Sequence, residues 1–335
     1  MTILLETRAL SKSFSHKRGL LARAAERIGL ATPAADTVYA VNGVSLTVKR
    51  GEVLGLVGES GCGKSTVGRM VAGLLPPTSG SLAFAADVDA APPRVHAAGV
   101  ARHLHTQMVF QNPYASLNPR LRVEQLVSEA AVYHGLVARA DVPAFVRALL
   151  DQVGLDPSYA ARFPHQFSGG QRQRIAIARA LSLSPRFLVC DEAVSALDVS
   201  VQAQILNLFM DLREARGLTY LFISHNLAVV EHIADRVAIM YLGRIVELAD
   251  TARVFGAPNH PYTRALIADA PRLDAAVVQH RPIQGELPSP LNPPTGCAFH
   301  PRCPHAMARC AAELPLLREV APSHWSACHL NEGPS

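Results

Sequence analysis

"EVLGLVGESGCGKSTVGRMVAGLL", residues 52–75, carries three patterns in succession. Val53 to Val57 is an unbroken apolar run of strand length, as expected of a parallel strand covered on both faces. A glycine-rich turn follows, and from about Ser65 the apolar residues recur at helical spacing. Strand, loop and helix in this order fit G-x-x-x-x-G-K-[ST], running through Gly58, Glu59, Ser60, Gly61, Cys62, Gly63, Lys64 and Ser65, with Thr66 next. Glycines let backbone N–H groups turn inward around phosphate oxygens, and the start of a helix adds roughly half a positive charge. Lys64 is placed to reach β and γ phosphates, and the Ser65 hydroxyl to ligate Mg²⁺. A chance glycine-rich turn is the weaker reading, because the strand and helix context matches as well.

Working outward, "RFLVCDE", residues 186–192, is a second buried strand that ends in two acids. Asp191 is read as holding the Mg²⁺ shell and Glu192 as polarising an attacking water. Adjacent acids at a strand end are commonly a helix cap or a surface turn; paired with the loop at 58–65 they point to a nucleotidase site. Between the two strands lies "FSGGQRQRIAIARAL", residues 167–181. There Ser168 can cap an amphipathic helix, two glycines clear space, and the exposed N–H groups face an anion.

The quartet Ser168, Gly169, Gly170 and Gln171, shortly before "LVCDE", resembles the signature of ATP-binding cassette ATPases. The resemblance implies that this segment closes on ATP held by a partner subunit's phosphate loop. One chain then carries two half-sites and no complete one, and a dimer is required. It also implies roles for three further elements. Gln111 in "MVFQNPYASLNPR" matches a glutamine that contacts Mg²⁺ or water and faces the membrane partner. His225 in "LFISHNL" matches the histidine that contacts the γ-phosphate, and "SALD", Ser195 to Asp198, matches a loop that crosses the dimer interface. Phe14 in "LSKSF" resembles the aromatic that stacks on adenine; Tyr39 is the weaker candidate, because the insertion between 15 and 37 blurs the match, and simple core packing is the ordinary reading of either ring. The resemblance covers about residues 1–256. The chain departs from it at Ala193, where many relatives carry proline, and at Asn112, where close relatives often carry an acid.

The expected fold is α/β: a P-loop cassette nucleotide-binding domain over 1–256, with a parallel core sheet, an antiparallel β portion and a helical subdomain at about 112–180. A small irregular cysteine-containing extension follows over 257–335. "VEQLVSEAAVYHGL" and "VPAFVRALLDQVG" have helical apolar spacing, "VQAQILNLFMDLREARG" is a helix stopped by Gly217, and "RVAIMYLGRIVELA" is a hairpin turning at Gly243. "DVDAAPPRVHAAG", residues 87–99, reads as a loop.

After about residue 256 proline and turn residues become dense, so a linker and an irregular module are expected. "HPYTRAL", His260 to Leu266, and the cysteine-bearing tail resemble the C-terminal extension of oligopeptide and dipeptide importer ATPases, as do "PYASLNPR" and "SALDVSVQAQI". The chain is similar to the second, F-type, ATPase subunit of such systems. Nickel, glutathione and sugar importers share the branch. What the resemblance implies is an ATP- and Mg²⁺-dependent ATPase peripheral to the cytoplasmic face of the inner membrane. Its implied partners are a second ATPase in a heterodimer, two transmembrane permease subunits and an extracytoplasmic substrate-binding protein.

Of six cysteines, Cys62 and Cys190 lie in the two nucleotide motifs as small packing residues, leaving Cys297, Cys303, Cys310 and Cys328 in the tail. Disulfides are disfavoured in a reducing cytoplasm. The spacings C-x5-C, C-x6-C and C-x17-C are not the close pairs of structural zinc. Four thiolates on a proline-braced loop suit a [4Fe–4S] cluster, and the resemblance of the tail supports it. The neighbouring His300, His305, His324 and His329 are expected at the surface or supporting a ligand rather than binding metal.

At 335 residues, 49% hydrophobic and 18% charged, the chain can bury one large core and a satellite. No basic start leads into an apolar stretch and no apolar run is long enough to span a bilayer, so neither a signal peptide nor a membrane span is expected. The net charge of +5 is a mild excess, and no nucleic-acid motif accompanies it. A soluble cassette ATPase of translation or repair would bring a second cassette or long heptads. A non-catalytic subunit would have no chemical need for Lys64, Ser168, Asp191, Glu192 and His225 together.

Overall fold

The described residues form two separate sheets, and the strand that leads into the phosphate loop lies inside the larger one. The computed structural model describes residues 2–15, 37–85, 104–269 and 285–332; the insertion after residue 15 and the loop expected at 87–99 lie outside them. Strands β1 (Ile3–Ser15), β2 (Thr37–Lys49) and β4 (Ser79–Phe84) form an antiparallel sheet in the order β2-β1-β4. The second sheet has eight strands. It contains β3 (Val53–Val57), β5 (Thr106–Val109), β6 (Phe187–Asp191), β7 (Thr219–Ser224), β8 (Arg236–Tyr241), β9 (Arg244–Asp250), β10 (Arg318–Ala321) and β11 (His324–Ser326). Its order is β10-β11-β9-β8-β3-β7-β6-β5.

The run β8-β3-β7-β6-β5 is parallel, and every residue of β3, β6, β7 and β8 is buried. That is why these strands read as continuous apolar runs instead of alternating ones. The period of two still operates in space. Val53 and Val57 belong to the core under the helices, whereas Leu54 and Leu56 join Leu10, Val41, Val44 and Val67 between the two sheets. Asp235 fixes the start of β3, accepting from Val53 N at 2.8 Å and from Arg213 at 2.7 Å.

The helices that matter for the site are α1 (Lys64–Val71), α2 (Val123–Tyr133), α3 (Val142–Gln152), α4 (Gly169–Leu181), α5 (Val199–Arg216), α6 (Leu227–Ile233) and α7 (Pro261–Asp269). Leu126, Val127, Val146, Leu150, Ile175 and Ala178 join α2, α3 and α4 in one apolar cluster. Gly217 ends α5 at φ 62°, a left-handed position that glycine occupies without strain. The hairpin of β8 and β9 turns at Gly243, φ 80°. The α/β architecture with a parallel core and an antiparallel portion is therefore as the sequence led one to expect. No helix among the described residues is long and apolar enough to cross a membrane.

The tail differs from the expected irregular module. β10 and β11 extend the main sheet, with Trp325 and Ser326 registered against Leu248 and Glu247 of β9. Phe299 is 1% exposed and packs edge-on against Tyr241, ring centroids 5.4 Å apart. Burial of such a ring contributes about 2 kcal/mol. The extension thus uses the cassette's own core instead of building one.

Candidate functional site

Four loops at the carboxyl ends of adjacent parallel strands bring the candidate residues together. The phosphate loop follows β3, Gln111 follows β5, Glu192 follows β6 and His225 follows β7. This is the crevice where ligands bind open α/β sheets.

The phosphate loop is clamped by backbone on two sides. A Cβ on Gly58 would lie 2.1 Å from Met240 O, and one on Gly63, which sits at φ 106°, would lie 2.1 Å from Ala40 O. No side chain other than hydrogen fits at either place. Lys64 is 4% exposed and its Nζ donates to Gly58 O at 2.7 Å and Glu59 O at 2.9 Å. The ammonium is thus folded over the loop, where phosphate oxygens would compete for its protons. The first turn of α1 has no side-chain cap, so its N–H groups point into the loop unclaimed by a side chain. Cys62 is buried within this layer, and burial pushes its thiol up against the pull of Lys64. Cys190 is fully buried in β6 for the same packing reason.

Ser65 Oγ donates to Asp191 Oδ1 at 2.8 Å, so the two expected Mg²⁺ ligands already face each other. Burial holds the Asp191 carboxyl above its ordinary range, with the Ser65 bond pulling the other way. The oxygen pair fits a hard cation, which takes oxygen ligands and restores the charged form of a buried acid. Beside it, Glu192 stands at φ 50°, a left-handed backbone that a non-glycine residue adopts only under constraint. Its N–H donates to Ile223 O at 2.9 Å, which ties it to the end of β7. Gln111 Nε2 donates to Glu192 Oε2 at 2.7 Å, and His225 Nδ1 lies 3.2 Å from the same oxygen. A single carboxylate oxygen is therefore aimed by two polar side chains from neighbouring strands. The His225 side chain remains 53% exposed, open to whatever enters the crevice.

Ser168 to Gln171 lie elsewhere. Ser168 caps α4, its Oγ accepting from Gln171 N at 3.3 Å while Gln171 Oε1 accepts from Ser168 N at 3.0 Å. A Cβ on Gly170 would meet Val201 Cγ1 at 2.3 Å, so glycine is needed for α4 to sit against the start of α5. These contacts are local to α4 and the start of α5, and none involves the phosphate loop. Asp198 caps α5 from the preceding loop, accepting from Val201 N at 2.9 Å, and Ser195 Oγ donates to Glu192 O at 3.0 Å. Asn112 caps the short helix Pro113–Ser116 by accepting from Tyr114 N at 3.0 Å.

Both candidate adenine platforms are exposed, Phe14 by 44% and Tyr39 by 53%, so neither is a core ring. Phe14 pairs with Val38, two residues from the Ala40 carbonyl that touches the phosphate loop, and Lys12 Nζ lies 5.4 Å from its ring centroid.

Of the tail histidines expected at the surface or in support of a ligand, His305 is exposed and His300 half-buried, but His324 and His329 are buried. His324 is buried with Nε2 at 2.7 Å from Oε1 of fully buried Glu247, which also accepts from Asn259 N at 2.7 Å and His260 N at 2.9 Å. His329 is buried too, with Nε2 at 3.0 Å from Glu313 O. Burying a carboxylate requires several partners, and β11 and the start of α7 supply them. His260 is fully buried, and that burial pushes its imidazole down to about 4, against the pull of the Ala327 backbone.

All four tail cysteines are free thiols. Burial pushes Cys297 up to about 11, with Cys310, Cys328 and Cys303 adding to the shift, and it raises Cys303 and Cys328 as well. The thiols are thus close enough to oppose one another's ionisation, the chemistry of a donor set that needs a cation to become thiolate. Among the described residues, however, no three His, Cys, Asp or Glu side chains converge into a metal-binding group.

Tyr262, within the His260–Leu266 stretch, and Arg302 reach the phosphate loop from the tail. Tyr262 OH accepts from Glu59 N at 2.9 Å, and Arg302 Nη1 donates to Glu59 Oε2 at 2.9 Å. Nothing in the sequence signalled that either would meet Glu59.

Residues 41–195 match the ABC transporter family, and residues 246–310 match the oligopeptide/dipeptide transporter C-terminal region. The oligopeptide transport ATP-binding protein AppF of Bacillus subtilis is 48% identical over 331 residues, covering 98% of this chain and 97% of that one. A probable peptide ABC transporter ATP-binding protein, y4tS, of Sinorhizobium fredii is 53% identical, covering 88% of this chain and 83% of its own. Among solved structures, cbiO1 from Clostridium perfringens, part of an ABC transporter complex, superposes with a TM-score of 0.60 at 25% identity, covering 77% of this chain and 92% of that one. The ATP-binding cassette MJ0796, in a dimeric post-hydrolysis state bound to ADP and phosphate, has a TM-score of 0.59 at 24% identity over 74% of this chain and 99% of its own, and shares the fold. With near full-length identity of this order, the chain belongs to the ATP-binding cassette family, in the branch of the oligopeptide and dipeptide transport ATP-binding proteins.

Proposed function

We propose that this chain is the ATPase subunit that couples ATP binding and hydrolysis to the import of dipeptides or oligopeptides. The observation that carries the reading is the Glu192 carboxylate oxygen shared by Gln111 and His225, next along the chain to the Asp191 that Ser65 of the phosphate loop meets. Gly58 to Thr66 hold the phosphates, Phe14 offers its exposed ring to adenine, and Glu192 takes the proton of the attacking water. Ser65, Asp191 and Gln111 hold Mg²⁺, which neutralises charge on the phosphates when bound. Ser168 to Gln171 serve the site of a second ATPase subunit, in a heterodimer.

Two membrane permease subunits dock beside Gln111, and an extracytoplasmic protein delivers the peptide. This docking is supported by a cavity of about 340 Å³ lined by Met108, Phe110, Ser116, Ala176 and Arg179, with exposed Phe110, Tyr114 and Leu74 beside it. In this reading the chain sits on the cytoplasmic face of the inner membrane. Uptake of a labelled dipeptide should be lost when the gene is deleted, restored by the native chain and not by Lys64→Ala. Undiminished uptake in the deletion strain would count against peptide import.

Residues 1–256 act as the cassette, with 112–180 as its helical subdomain, and 257–335 as the extension. In that extension we assign Cys297, Cys303, Cys310 and Cys328 to a [4Fe–4S] centre. The support is four free cysteines in one short module; a bound cluster would brace the tail. Anaerobically purified protein should be brown and hold about four irons per chain. Colourless protein with one stoichiometric zinc, lost in Cys303→Ser, would replace the cluster by zinc.

A further inference from the structure

The tail's contact with the phosphate loop is not a surface accident. Glu59, the first residue after Gly58, is held at three atoms. Its N–H donates to Tyr262 OH, its carboxylate receives Arg302, and its carbonyl accepts from Lys64 Nζ at 2.9 Å. Tyr262 is fully buried, its ring tilted against those of Tyr241 at 4.6 Å and Phe299 at 5.4 Å between centroids. The Arg302 side chain is 7% exposed, lies 6.0 Å from the Tyr241 ring, and its Nη1 is 3.4 Å from Tyr241 OH. Both groups are therefore fixed before nucleotide arrives, and both belong to the extension, Arg302 directly preceding Cys303.

The loop needs such a hold for two physical reasons. Gly58 before Glu59 and Gly61 two residues after it give this part of the loop conformational freedom, and the orientation of the Glu59 peptide decides where the following N–H groups point. A carboxylate also lies in a loop meant for a polyanion, where an unpaired negative charge would repel phosphate. Resting on the ATPase reading above, we infer that Tyr262 and Arg302 are positioning residues of the nucleotide site: Tyr262 sets the Glu59 peptide and Arg302 neutralises and turns away its carboxylate. The C-terminal extension is thereby part of the machinery that binds ATP.

Steady-state ATP hydrolysis by the assembled complex tests this, with KM and kcat separated. Arg302→Gln should raise the KM for ATP about tenfold and leave kcat within about twofold, the signature of lost binding without lost chemistry. Arg302→Lys should recover most of the affinity, and adding Glu59→Gln to Arg302→Gln should return KM to within about threefold of native, because the uncompensated carboxylate is gone. An unchanged KM in Arg302→Gln, or a double variant as impaired as the single one, would overturn the inference. Should Arg302→Gln fail to assemble, Tyr262→Phe decides: it keeps the packed ring, and KM should rise about threefold through loss of one hydrogen bond. An unaltered KM there would also overturn it. Native complex without any ATP turnover would instead sink the ATPase reading itself.

Discussion

Replacing Glu192 by Gln should leave ATP bound and slow turnover at least about a hundredfold, the cost of losing a positioned general base. The amide keeps the shape of the carboxylate but cannot take a proton from water. The contacts proposed to hold nucleotide come from other elements: Lys64 and Ser65 begin α1, and Phe14 lies near the end of β1. Binding and chemistry are therefore separable in this fold. Gln111 and His225, at 2.7 Å and 3.2 Å from Oε2, make that oxygen the one aimed at the crevice. ATP turnover and equilibrium nucleotide binding, measured on the same assembled complex, check the expectation. Near-normal hydrolysis by Glu192→Gln would remove Glu192 from its role.

The phosphate loop was legible in the sequence because its determinants are contiguous: an apolar strand, glycines at places where a Cβ would strike backbone, then a lysine and a hydroxyl. Glu192, Gln111 and His225 were legible as residue types through resemblance, but their meeting at one oxygen was not. It depends on β5, β6 and β7 lying side by side, a long-range order that local periodicity does not encode. The left-handed backbone of Glu192 was equally hidden, since nothing in "CDEAVS" demands it.

The tail was the least readable part. β10 and β11 are four and three residues long, too short for alternation to show, and they become strands because β9 offers an edge. Glu247 reads as an ordinary hairpin residue, yet its complete burial draws His324 and the His260 backbone inward. Tyr262 and Arg302 lie 203 and 243 residues from Glu59, so no local pattern could pair them.

Ser168→Arg should abolish hydrolysis at the site whose phosphate loop belongs to the partner ATPase, by at least about a hundredfold, as expected when preorganised donors around a transferring phosphate are lost. The reason is geometric. Ser168 and Gln171 satisfy each other and Gly170 packs on Val201 at the start of α5, whereas Ser65 and Asp191 meet at the sheet. On the composite-site proposal the two halves within one chain serve different nucleotides, and ATP between subunits completes each. A bulky cation at Ser168 blocks that closure without touching the chain's own phosphate loop.

The most direct measurement is ATP turnover per chain as the isolated protein is diluted, set beside the assembled complex under the same conditions. A composite site gives strong turnover in the complex and turnover that falls towards zero with dilution of the isolated chain. Equal activity from the monomer at high dilution would contradict it.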